Sequence, residues 1–185
     1  MYTVFQYELP YAHLLTVWQE RLADVGEVCG DHLTIRNAVA EDGLMINVRD
    51  EQSETFDNSN YHEIVRTHAW LNLLTPMNYA IFHGENLLML ISIFVVGKGV
   101  GEISFLTDDN FVKAPLAVRL SMLRSFQFAV TNAPFHRLQA KVKDSFMIGR
   151  KFVEGMGFEN EGTLKGYGEN GADYIIYGLA KNKEG

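Results

Sequence analysis

The chain has 185 residues, 47% apolar and 21% charged, the balance of one folded domain with a substantial core. A formal net charge of −7 argues against a nucleic-acid partner bound by phosphate neutralisation. Cys29 is the only cysteine, which excludes an intramolecular disulfide and a cysteine-built zinc site.

The opening "MYTVFQYELPYAHLL" has no basic stretch before an apolar run and does not read as a signal peptide. "YTVFQYEL" predicts a strand, and "YAHLLTVWQERLADVG" an amphipathic helix closed by Gly26. "RDEQSETFDNSN", residues 49–60, reads as a polar surface loop within a single domain spanning 1–185. Next, "SNYHEIVRTHAWLNLL" offers Asn58 or Ser59 as an N-cap and apolar positions at Tyr61, Ile64, Val65, Ala69 and Leu73, a helix ending before Pro76. His62 and His68 lie six apart on it, which is not metal-ligand spacing, and no metal is expected.

From Met77 the signals sharpen. "MNYAIFHGENLLMLISIFVVG" predicts two strands around His83–Gly84–Glu85–Asn86, the second apolar on both faces like a strand covered by helices. Its apolar run from Leu87 is about half the length needed to cross a bilayer, so no membrane partner is expected and the cytoplasm is the expected location. Gly97–Lys98–Gly99 turns the chain into the strand "GEISFLTDD". "GKGVG" at 97–101 joins two strands, not a strand and a helix, and so is not a nucleotide loop. Leu116, Leu120, Leu123, Phe126 and Val130 recur at helical spacing after Pro115, a favoured first-turn residue. "RLQAKVK" alternates as a strand, "SFMIGRKFVEGM" predicts a helix stopped by Gly157, and two strands joined through "ENGAD" close the chain. The order β-β-β-α-β-α-β-β implies an α/β fold, a mixed sheet with helices on its faces.

Particular residues add to that order. His136–Arg137 precedes a strand, Gly157–Phe158 ends a helix, Glu161 to Lys165 reads E-G-x-L-K, and Asn170–Gly171 with Asp173 precedes the last strand. Over residues 78–180 this resembles the GNAT superfamily of acyl-CoA-dependent N-acyltransferases, nearest to the ribosomal-protein N-terminal acetyltransferases. Residues 1–77 match only as an N-terminal strand and helices. The resemblance implies a mostly antiparallel sheet with helices on both faces, acetyl-CoA as donor, and an amine, such as a protein N-terminus, as acceptor. It places the catalytic base at Glu102. Backbone amides around Ile103 and Phe105 would hold the thioester, and Lys113 and Ala114 would lie at the pyrophosphate.

The same alignment exposes departures. Phe111–Val112 stands where the family has an arginine–glycine pair, and Pro115 removes an N–H from the phosphate loop. Phe111 would sit at the cofactor's entrance. Phe146 and Gly149 replace an asparagine and a serine, and Val153 replaces a tyrosine acid. A second expectation therefore stands beside the enzyme: a catalytically silent GNAT-fold module binding a protein partner, of the kind phages encode as accessory or virion proteins.

Overall fold

The computed structural model describes residues 33–48, 52, 78–132, 135–168 and 170–181. The strand expected at 2–9 and the helices expected at 11–26 and 58–73 lie outside the described residues.

Seven strands form one sheet: β1 (Leu33–Asn37), β2 (Asn78–His83), β3 (Asn86–Gly97), β4 (Val100–Thr107), β5 (Arg137–Lys143), β6 (Glu159–Leu164) and β7 (Tyr174–Ala180). Their spatial order is β1-β2-β3-β4-β5-β7-β6. β4 and β5 pair parallel, and every other neighbouring pair is antiparallel. Four helices are described: α1 (Ala40–Met45), α2 (Asp109–Lys113), α3 (Leu116–Asn132) and α4 (Met147–Gly155). β1, α1 and the one-turn α2 come in addition to the expected order.

β3 is buried continuously from Leu87 to Ser92 and beyond to Ile93, because the sheet is covered on both faces. On one face α3 and α4 supply Val118, Met122, Phe126, Val153 and Met156 to the main core. On the other, Ile46 and Val48 pack with Ala80, Leu87 and Leu90. The buried stripe of α3 differs from the expected one. It runs through Val118, Met122, Phe126 and Val130, whereas Leu116 and Leu120 are 62% and 44% exposed. Both stripes are apolar at spacings of three to four residues and share Phe126 and Val130, so periodicity alone did not choose between them.

α4 ends as its sequence requires. Gly157 has φ +94°, the Phe158 N–H reaches the Val153 carbonyl at 3.2 Å, and the Gly157 N–H reaches that of Glu154 at 2.9 Å. This is a Schellman cap, sealed by burial of Phe158 beside Val153. The β3–β4 turn needs glycine twice over: Gly99 has φ +70°, and a Cβ there would lie 2.4 Å from Nδ1 of His136.

The segments bearing the family-like residues interlock. The Arg137 guanidinium grips the Glu161 carboxylate through both nitrogens, one bond at 2.7 Å. That carboxylate lies over Gly178, where a Cβ would be 2.2 Å from Oε1. Lys165 bonds Asp173 at 2.6 Å, and the Gly166 N–H reaches the other oxygen of Asp173 at 2.8 Å.

Candidate active site

The parallel pairing of β4 and β5 covers Val100↔Arg137, Gly101↔Leu138 and Glu102↔Gln139 and ends there. β4 continues to Thr107 and β5 to Lys143, so the two strands part and a cleft opens between them. Its walls include Ile103 and Phe105 of β4, Ala140 and Val142 of β5, and Phe152 and Val153 of α4. The cleft holds about 140 Å³, some ten times the ~10–15 Å³ that one water requires. The gap between the strands is therefore open space lined mostly by carbon.

One side of the cleft is aromatic. The Phe152 ring meets Phe105, Phe111 and Phe126 edge-on, with centroids 5.4, 6.0 and 6.2 Å away. Phe111 is only 8% exposed, a wall of the cleft packed into the core. At the wide end, Phe146 precedes α4 and its ring lies on Gly149: a Cβ there would sit 2.3 Å from the ring. Glycine at 149 and phenylalanine at 146 are thus one packing arrangement.

The segment aligned with the phosphate loop is the helical turn α2. Asp108 caps it, its carboxylate accepting the N–H groups of Asn110 at 2.8 Å and of Asn47 at 2.7 Å. The Phe111 N–H goes to the Asp108 carbonyl, and that of Ala114 to the Asn110 carbonyl, each at 2.9 Å. Ala114 is buried and Lys113 is exposed. One turn into α3, the Nε of Arg119 is buried without a hydrogen-bond partner among the described residues.

Alternation along β4 sends Ile103 and Phe105 toward α3 and α4, and Glu102 to the opposite face. There, beside the last pair of the β4–β5 ladder, the Glu102 carboxylate accepts Gln139 Nε2 at 2.8 Å and pairs with Lys141 Nζ at 2.9 Å. Lys141 also donates to the Tyr167 hydroxyl at 3.0 Å. Burial pulls the Lys141 ammonium down, but bonds to Tyr167 and Glu102 outweigh it, and the net shift is upward. Of the residues proposed from sequence, Glu102, Ile103 and Phe105 gather at the parting of the strands, while Lys113 and Ala114 lie at the α2–α3 junction.

Sequence reading missed Gln52. Its carboxamide donates to the Phe105 carbonyl at 2.9 Å and accepts both the N–H, at 2.9 Å, and the hydroxyl of Thr107. Nothing in a polar run such as "RDEQSE" marks one amide as the group that reaches a strand 53 residues away. Lys141 and Tyr167 were missed as well, being ordinary polar positions in an alternating strand and a turn.

An antiparallel sheet interrupted by one short parallel pair that parts around a lined cleft is a specific topology. The fold is that of the GNAT acyltransferases. A GNAT-family acetyltransferase from Bacillus anthracis superposes with a TM-score of 0.56 at 17% identity, over 80% of this chain and 94% of that one. A chimera of spermidine N-acetyltransferase from Vibrio cholerae and hSSAT gives 0.60 at 14% identity, over 80% and 95%. The ribosomal-protein-S5-alanine acetyltransferase from Vibrio fischeri gives 0.55 at 15% identity, over 82% and 94%. No family model matches the sequence, and no curated protein matches it. Among the described residues, no helix is long and apolar enough to cross a membrane.

Proposed function

We propose that this protein transfers an acetyl group from acetyl-CoA to a primary amine, with a protein N-terminus as one acceptor class. The supporting observation is the parting of β4 and β5 just beyond the Glu102–Gln139 pair, which opens a mostly apolar cleft between the strands and leaves the Glu102 carboxylate next to its closed end, on the opposite face of the sheet. The cleft suits an extended thioester arm. The Phe105 N–H, turned into the gap by the alternation that also turns in the Phe105 carbonyl, holds the thioester oxygen. The amine approaches from the Glu102 face. Its nitrogen attacks the acyl carbon, and Glu102 receives through a water the proton that the amine sheds. Gln139 and Lys141 keep the carboxylate in place. The thiolate leaves without a tyrosine at the position of Val153.

The two ends of the donor fit unequally. Around α2, the N–H groups of Asn110, Phe111 and Ala114 already have partners within the chain, which leaves Lys113 and Arg119 as cations for a diphosphate. Binding through the arm alone is weak, so acetyl-CoA affinity is expected well short of micromolar. The same turn supports a second reading, a silent GNAT-fold module that engages a protein partner. Calorimetry with acetyl-CoA, together with thiol release in the presence of amine peptides, separates the two. Saturable binding and turnover support the enzyme. No heat at millimolar acetyl-CoA replaces it with the module.

A further inference from the structure

The gap-side edge of β4 is already occupied by the chain's own amide. Pairing with β5 stops at Glu102↔Gln139, so beyond that point β4 presents strand-edge N–H and carbonyl groups to the cleft. Gln52, only 9% exposed, engages two of them, the Phe105 carbonyl and the Thr107 N–H. A primary amide that donates to one residue and accepts from the residue two places on reproduces what a neighbouring strand would offer. It is also held against its strand by the Thr107 hydroxyl.

We infer that Gln52 is a latch on the donor cleft, competing for the β4 edge with any amide-bearing arm that enters. This rests on the donor reading above. In an acyl-CoA arm the first amide follows the sulfur by a two-carbon spacer. An acyl group at the parting of the strands brings that amide level with Phe105 and Thr107, where its N–H and carbonyl need the partners that Gln52 holds. Entry therefore requires the Gln52 side chain to swing out, and each arm bound costs the three bonds that this breaks, two to the strand edge and one to the Thr107 hydroxyl. Gln52 thereby sets donor affinity without touching the reacting atoms.

Pantetheine, which carries the amides and no phosphate, is the probe. Binding is followed by chemical-shift titration of the intact protein, its Gln52→Ala variant, and Gln52→Leu, which keeps the volume. Hydrogen exchange at the Thr107 amide is measured alongside. Both variants are expected to bind pantetheine at least about tenfold more tightly than the parent, since the Gln52 bonds to Phe105 and Thr107 no longer have to be broken. The Thr107 N–H should exchange slowly in the parent, quickly in the free variants, and slowly again when pantetheine is bound to them. Equal or weaker binding by both variants overturns the latch, as does a Thr107 amide that stays unprotected in the complex. Fast exchange at Thr107 in the free parent overturns it too, and leaves the donor reading standing. If pantetheine binds none of the three proteins, the donor reading fails and the latch falls with it.

Discussion

Replacing Asp108 with alanine tests whether the α2 turn is built as described. The side chain is 4% exposed, and its two oxygens accept one N–H at the start of α2 and one at Asn47, from a segment distant in sequence. Loss of an N-cap costs about 0.5–2 kcal/mol, and a hydrogen bond to a charged group contributes about 1.5–3 kcal/mol. Because the Asn47 N–H is left without its carboxylate, the two losses add in part, and a destabilisation of about 2–4 kcal/mol is expected. Asp108→Asn keeps one acceptor oxygen and should recover roughly half of it, the cap being the part that asparagine supports best. Urea unfolding at pH 7 measures both variants. The bridge between Val48 and Asp108 and the bond from the Asp109 N–H to the Asn47 carbonyl depend on the same seam, so protection of these amides should fall together. An alanine variant as stable as the parent would refute the idea that Asp108 organises the turn.

Gly157→Val places a β-branched residue at φ +94° and should cost about 1–3 kcal/mol; an unchanged urea midpoint would contradict the cap. Should turnover be found, Glu102→Gln is expected to lower it about 10²- to 10⁴-fold with donor affinity nearly intact, and equal rates would remove Glu102 from the proton path. Lys165, then the Gly166 N–H, hold the Asp173 carboxyl below its ordinary range. A depressed carboxyl stabilises above the unfolded value of about 4 and loses that contribution as pH falls through the folded value. The stability gap between parent and Asp173→Asn should hold steady from pH 7 to 5 and close below about pH 4, and a gap that widens in acid would contradict the pairing. Phe111→Arg drives a guanidinium into the Phe152 contact and should destabilise the fold, as judged by thermal unfolding, before it helps any phosphate.

What could be read from the sequence follows the range of the forces involved. β5 runs from Arg137 to Lys143 as its alternation predicts, and α4 stops at the glycine that only a left-handed cap explains. These are local effects, written in consecutive residues. The E-G-x-L-K and His136–Arg137 signatures were legible without their reason. The structure supplies it: Arg137 grips Glu161 and Lys165 grips Asp173. Glu102 was singled out through the family resemblance alone; in the structure it stands in the last pair of the β4–β5 ladder. By contrast, α2 and Gln52 depend on partners far along the chain. A polar residue such as Gln52 has no period that announces its target.

The two ends of the cleft are held by different kinds of constraint. The narrow end is fixed by register: moving Glu102 relative to Gln139 would slide β4 along β5 and turn its core residues to the other face. Burial of Ile103, Leu138 and Ala140 resists any such slip. The wide end is fixed by side chains that choose one another. Phe146 requires Gly149, Phe111 requires Phe152, and Asp108 requires the N–H groups of Asn110 and Asn47. Each pairing is satisfied within the chain and leaves the sheet undisturbed. On the proposed donor reading, recognition would rest on the edge of β4, where Gln52 stands, more than on phosphate contacts at the mouth.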